Sequence, residues 1–368
     1  MKSFYKTYYE STFKMLKYLG IWSQNFEKKN KNSYLTYCVA TNFFFLFMAN
    51  FIRFISILNQ TDFKHIISRA YAFPLSCLPV MKSFFFFKNR SDLQKIQQHF
   101  NNFQPEDDDT NFIIKTMKIY RVLKKSAECL AVMIITIDTT TMFFGYYDVV
   151  PLWCPVNSSS PFKEIVYVYN IIALTYITTT YIYIQLVCSA VFMFIGMQCD
   201  LYCKCLSRVE RLDGVLLKNL VQRYENIIRI FVLSERVFSE IFLVEIIFVT
   251  LGLCLRLFVI SMTENFLELP IHISSLILAC LLILLPCWFS TTVKTKSDRI
   301  STAVYSLPWY NCQSLRVKKD LVQFIRITER PIEFTGMGLV TLSTDTFINM
   351  MRTTFSFYTF LDFLNQRE

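Results

Sequence analysis

The sequence predicts an all-α integral membrane protein of seven transmembrane helices, with its N-terminus inside and its C-terminus outside. Three observations predict it. The chain is 53% hydrophobic and only 18% charged, with 37 Phe and 20 Tyr in 368 residues, far more apolar than a soluble core requires. Seven stretches supply the roughly 20 mainly apolar residues needed to cross a hydrocarbon layer about 30 Å thick. The 38 Lys and Arg alternate between the connecting segments. Seven, nine, seven and eight of them fall in the N-terminal segment and every second loop, thirty-one in all. Four (Lys64, Arg69, Lys163, Arg367) fall on the other side, and three (Arg53, Arg256, Arg352) lie within spans. The positive-inside rule then places the N-terminus inside.

The elements follow in chain order. Phe4 to Leu19 carries Lys6, Lys14 and Lys17 among aromatics, the pattern of an amphipathic helix lying at the inner membrane surface. It lacks the apolar run and cleavage site of a signal peptide. The spans run Tyr34 to Leu58, Ile66 to Phe87, Ala127 to Tyr147, Ile165 to Gly196, Phe238 to Met262, Leu269 to Val293 and Leu339 to Leu364. The acidic run Glu106 to Asp109 reads as a solvated turn. No proline occurs between Pro161 and Pro270, so the fourth span continues past Gly196 as a helix. Leu216 to Met262 makes another, about 70 Å long at 1.5 Å per residue, over twice the hydrocarbon layer. Their extra lengths imply a cytoplasmic helical bundle. Val317, Leu321, Phe324 and Ile325 form an amphipathic stretch, after which Pro331 and Thr335-Gly336-Met337-Gly338 break the helix before the final span. Four regions result: 1–32 N-terminal amphipathic helix, 33–293 six-helix transmembrane region, 294–338 anchor helix and break, and 339–368 final helix and outer C-terminus. Of the Asn-x-Ser/Thr sequons, Asn59 and Asn157 fall in outside loops and are glycosylation candidates.

In the final span Asn349, Thr353, Ser356, Phe360 and Phe363 recur at intervals of three or four. A polar run ending in large apolar residues suits a pore closed by a hydrophobic gate. Small and hydroxyl residues also serve contacts between spans, and periodicity alone leaves both readings open. Catalytic signatures are missing. There is no His-Glu-x-x-His, no phosphate-cradling glycine loop and no Gly-x-Ser-x-Gly, and His65, His99 and His272 stand on separate segments. Cys199, Cys203 and Cys205 lack the paired spacing of a structural zinc site. The expectation is no enzyme, no cofactor and no metal. The net charge of +10 is spread over loops, which argues for a membrane and against nucleic acid.

Several segments together resemble the insect odorant receptor family: Ala303-Val304-Tyr305 with Trp309-Tyr310, Arg330-Pro331-Ile332, Thr341-Leu342-Ser343, Thr346-Phe347, and Phe355 through Leu361. The outer loop is similar too, with Pro151-Leu152-Trp153-Cys154-Pro155, Ser160-Pro161-Phe162 and Val166 to Tyr169. The resemblance runs along nearly all of the chain. It implies a subunit of a tetrameric, nonselective cation channel gated by a small volatile odorant, in the plasma membrane of olfactory sensory neurons. The short connection Leu206 to Leu220 lacks the coreceptor's long insertion, which implies a tuning subunit partnered with coreceptor subunits. The contacts it implies are lipid, permeating cations and a volatile organic ligand. Matching helices and depths puts Tyr71, Phe73, Pro74, Asp138, Thr141, Met142, Tyr146, Tyr169, Tyr176, His272 and Ser275 at the odorant site. Phe360 aligns with the gate. A gustatory-type receptor channel would share this architecture, and a secondary transporter would show an internal repeat that is not found here.

Overall fold

The computed structural model describes residues 11–22, 31–59, 61, 66–67, 70–103, 110–143, 162–263 and 269–365. Helix α1 covers residues 11–18. Lys31–Thr41 (α2) passes through one π-helical turn, Asn42–Phe47, into Met48–Leu58 (α3), and together they form the first predicted span. Phe73–Lys88 (α4) and Arg90–Asn102 (α5) follow, then Thr110–Phe143 (α6), Phe162–Ser207 (α7), Gly214–Met262 (α8) and Leu269–Tyr305 (α9). Leu315–Thr328 (α10), a two-stranded hairpin of Thr335–Gly336 (β1) and Val340–Thr341 (β2), and Thr344–Asn365 (α11) complete the described chain.

Among the described residues, four helical stretches are long and apolar enough to cross a membrane: Ser33–Leu58, Val168–Ser207, Gly214–Met262 and His272–Asn311. The other three predicted spans coincide with α4, α6 and α11. Helix α8 has 49 residues, about 74 Å at 1.5 Å per residue, as its proline-free sequence predicts. Its start is set by Asp213, whose carboxylate accepts from the Leu216 amide at 2.6 Å. Helix α9 runs through Pro286 without interruption.

The core sits on α7, packed between α6, α8 and α9. Phe192 of α7 packs at a tilt against Phe334, with ring centroids 4.1 Å apart, and against Phe242 of α8 at 5.6 Å. Beyond the apolar spans, Tyr224 of α8 packs on Tyr202 of α7 and Phe324 of α10. The buried face of α10 is Val317, Leu321, Phe324 and Thr328, which bears out its amphipathic pattern. Outside the hydrocarbon, burying such side chains stabilises by roughly 1.5–3 kcal/mol each, which holds these helix extensions together.

Three expectations are corrected. In the described part of the N-terminal helix, α1, apolar side chains turn into the protein rather than outward: Phe13 and Leu16 are buried in the core, and Thr12 hydrogen-bonds Tyr120 of α6 at 2.9 Å. The final helix does not begin at Leu339. The chain there turns back as the hairpin, with Thr335 opposite Thr341 and positive φ at Met337 (52°) and Gly338 (70°), and Ser343 caps α11 by accepting from the Thr346 amide. Finally, Lys82 is not a loop charge. It lies inside α4, fully buried, which leaves thirty basic residues against four in the charge asymmetry.

Candidate ligand site and pore helix

The last turns of α8, the first turn of α9 and the chain entering α4 converge on one cluster. Ile67, Tyr71, Phe258 and Val259 are buried against each other, with Leu255, Met262, Tyr358 and Leu361 packed around them. Tyr71 presents its face to the Arg256 guanidinium at 4.3 Å and meets His272 edge-on, with ring centroids 5.4 Å apart. Arg256 also donates to the hydroxyl of Ser275, and that hydroxyl donates to the His272 carbonyl at 2.9 Å. Both Arg256 and His272 are buried, and Nδ1 of His272 has no hydrogen-bond partner among the described residues. An aromatic face, a guanidinium, an imidazole and a hydroxyl thus share one apolar enclosure. Such a set fits a small, mainly hydrophobic molecule with one hydrogen-bonding group.

The sequence-predicted ligand residues divide between two places. Tyr71, His272 and Ser275 meet in this cluster. Tyr169 and Tyr176 face the first span instead: Tyr169 donates to the Phe44 carbonyl and sits edge-on to that ring at 5.2 Å, and Tyr176 packs on Phe45 and donates to the Leu19 carbonyl. Phe73 packs at a tilt on Phe54 of α3, with ring centroids 5.9 Å apart, and Pro74 is buried in the first turn of α4. The side chains of Asp138, Thr141 and Met142 on α6, and all of Tyr146 and Asn157, lie outside the described residues. Asn59 is exposed just after α3. Sequence reasoning counted Arg256 as a charge within a span and missed its place in the cluster. A lone cation in an apolar helix is the signal that points to it.

On α11, Asn349, Thr353, Ser356, Phe360 and Phe363 are all exposed, and so are Ile348, Phe355 and Phe357. The opposite face, with Met350 and Thr354 buried and Tyr358 and Leu361 against the Tyr71 cluster, holds the helix to α8 and α9. The hairpin before it is docked on α8 at one-turn intervals. Glu235 accepts from the Thr335 amide at 3.0 Å, Ser239 accepts from the Met337 amide at 2.6 Å, and Gly336 lies so close to Leu243 that a Cβ there would stand 3.2 Å from its backbone. Burial pushes the Glu235 carboxyl up, and its bonds from Thr335 oppose that shift. The Thr344 amide donates to Thr291 of α9 at 3.0 Å.

A cavity of about 520 Å³ lies elsewhere, between α5, α7 and α8, lined by His99, Arg208 and Arg223 above Phe194 and Ile230; none of the predicted ligand residues lines it. Among the described residues no group of His, Cys, Asp and Glu could hold a metal ion.

A family model described as 7tm Odorant receptor matches residues 62–355. Odorant receptor 10 of Aedes albopictus is 25% identical over 142 residues, a match spanning 39% of this chain and 38% of that relative. Two structures of the insect olfactory receptor OR5 from Machilis hrabei superpose on it. The complex with eugenol gives a TM-score of 0.84 at 14% identity, covering 98% of this chain and 99% of that one. The second gives 0.85 at 15% identity, covering 97% of each.

Proposed function

Because the chain belongs to the 7tm odorant receptor family, we propose that it is the odorant-tuning subunit of a heteromeric, ligand-gated, nonselective cation channel in the plasma membrane of olfactory neurons. It binds a small volatile hydrophobic molecule and opens a central pore shared with coreceptor subunits. One observation carries the reading: Tyr358 and Leu361 of α11 pack on the same cluster that contains Tyr71 and adjoins His272 and Ser275. A ligand that displaces this cluster acts on the last helix without an intermediate element, and it shifts the equilibrium by its difference in affinity between the two arrangements.

In this account Tyr71, His272 and Ser275, with Phe73, Pro74, the α6 residues Asp138, Thr141 and Met142, and Tyr146, surround the odorant. Tyr169 and Tyr176 set the position of α7 against the first span. The exposed stripe from Asn349 to Phe363 lines the pore, and Phe360 is its gate. The Machilis hrabei structure holds eugenol, which supports a ligand of that size. The test is whole-cell current in cells expressing this chain with and without an insect coreceptor, during exposure to a panel of volatiles. Current evoked only in the co-expressing cells supports a tuning subunit. Silence from a verified surface complex across a broad panel, with a response to soluble tastants, favours a gustatory-type channel.

A further inference from the structure

Two helices carry a second polar contact that the ligand site does not use. Lys82 of α4 and Glu245 of α8 are fully buried, with Nζ 2.6 Å from the Glu245 Oε1. Lys82 also donates to the Gln185 side-chain oxygen at 2.7 Å and lies 4.3 Å above the ring of Tyr181, both on α7. Tyr181 donates to the same Glu245 oxygen at 2.8 Å, and the Gln185 amide donates to the Leu282 carbonyl of α9 at 2.8 Å. Four helices therefore meet at one charge pair. The second carboxylate oxygen, Oε2, has no hydrogen-bond partner among the described residues.

The pair stands in a fixed register with the ligand-side cluster. Lys82 lies eleven residues after Tyr71, and Glu245 eleven residues before Arg256, so both contacts join the same antiparallel segments about 16 Å apart. Between them, on the same register, Gly252 faces Leu75, where a Cβ would come within 2.8 Å of the leucine Cγ. Beyond Lys82, Lys88 pairs with Glu240 at 2.7 Å. An apolar interface alone tolerates slippage by a turn. A buried charge with three directional partners does not, because a slipped Lys or Glu is left uncompensated in a low-dielectric interior.

We propose that Lys82 and Glu245 are positioning residues for gating. They lock α4 and α8 in register, so that a displacement at Tyr71 and Arg256 travels along α8 as a rigid unit to the hairpin docked at Glu235, Ser239 and Leu243. The gating part of this claim rests on the channel reading above; the register part does not.

The first test is independent of current. A Leu75→Cys/Gly252→Cys pair, placed at the close contact, should oxidise to a disulfide identified by mass spectrometry of the linked peptides. Adding Lys82→Met/Glu245→Leu should lower the cross-linking yield at least fivefold; an equal yield overturns the register lock. The second test compares ligand-evoked with ligand-free current at matched surface expression. The Lys82→Met/Glu245→Leu subunit should lose at least tenfold in that ratio. Tyr181→Phe, which removes one hydroxyl and is expected to reach the surface even if the double variant does not, should change it about threefold with the ligand order unchanged. Unchanged ratios in the variants that reach the surface reduce the pair to a folding element and overturn the gating claim. Absence of any evoked current from the unaltered subunit overturns the channel reading instead, and the cross-link still decides the register.

Discussion

The close approach of α4 and α8 makes a prediction whose sign reverses with context. Replacing Gly252 by Ala would put a methyl 2.8 Å from Leu75 Cγ and 3.2 Å from its Cδ2, well inside the 3.5–4.0 Å of a favourable carbon contact. Overpacking of this kind costs about 1–3 kcal/mol. Against it stands up to about 1 kcal/mol gained by replacing a mid-helix glycine with alanine. The net effect is a destabilisation of up to about 2 kcal/mol. Leu75→Ala removes the three atoms nearest to the new methyl, so Gly252→Ala in that background should keep the gain without the clash. The coupling between the two changes is therefore about 1–3 kcal/mol. In a chain of this size each kcal/mol moves a thermal midpoint on the order of 1–2 °C. Size-exclusion chromatography of detergent-solubilised protein after a heating series measures it: Gly252→Ala should lower the midpoint alone and raise it when added to Leu75→Ala. An equal fall in both backgrounds would refute the contact.

Three further outcomes are expected. Tyr71→Leu removes the ring beneath Arg256; this contact is present without ligand and is worth about 2 kcal/mol when desolvated, so the thermal midpoint should fall by about 2–4 °C, and an unchanged midpoint would remove the contact from the stability of the site. Glu235→Ala takes away the acceptor for the hairpin amide and should cost about 1–3 kcal/mol of hairpin docking, read as faster amide exchange at Thr335; Glu235→Gln keeps an acceptor and removes the charge that burial disfavours, so it should exchange like the native chain. Phe360→Ala should change the relative permeability of cations while leaving the order of ligand potencies intact, whereas Tyr146→Ala should reorder the ligands; identical permeability ratios would remove Phe360 from the pore.

Helix lengths and breaks were legible because they depend on local chemistry. A proline-free run from Asp213 onward can only continue as helix, and Met337 and Gly338 adopt the positive φ that the paired glycines of that segment foreshadow. Helix faces were less legible, since a face is chosen by its neighbour. Tyr169 and Tyr176 stand on a helix and at a depth that suit the ligand site, yet both hydroxyls are taken by carbonyls of the first span and its preceding turn. Lys82 was hidden by its position near the end of an apolar run, where a lysine reads as the start of a loop. Its burial is made tolerable by partners distant in sequence, the carboxylate of Glu245, 163 residues away, with the Gln185 oxygen and the Tyr181 ring.

On the proposed function, one chain holds both the ligand site and a wall of the conducting pathway. Outside-out patches excised from cells co-expressing this chain and a coreceptor, bathed in nucleotide-free solution, test it most directly. A volatile that excites the intact cell should evoke the same rapid cation current in the patch, abolished when Tyr71 and His272 of this chain are both replaced by Ala. A current that survives in intact cells but vanishes in the excised, nucleotide-free patch would mean that the chain signals to a separate channel, and would contradict the account.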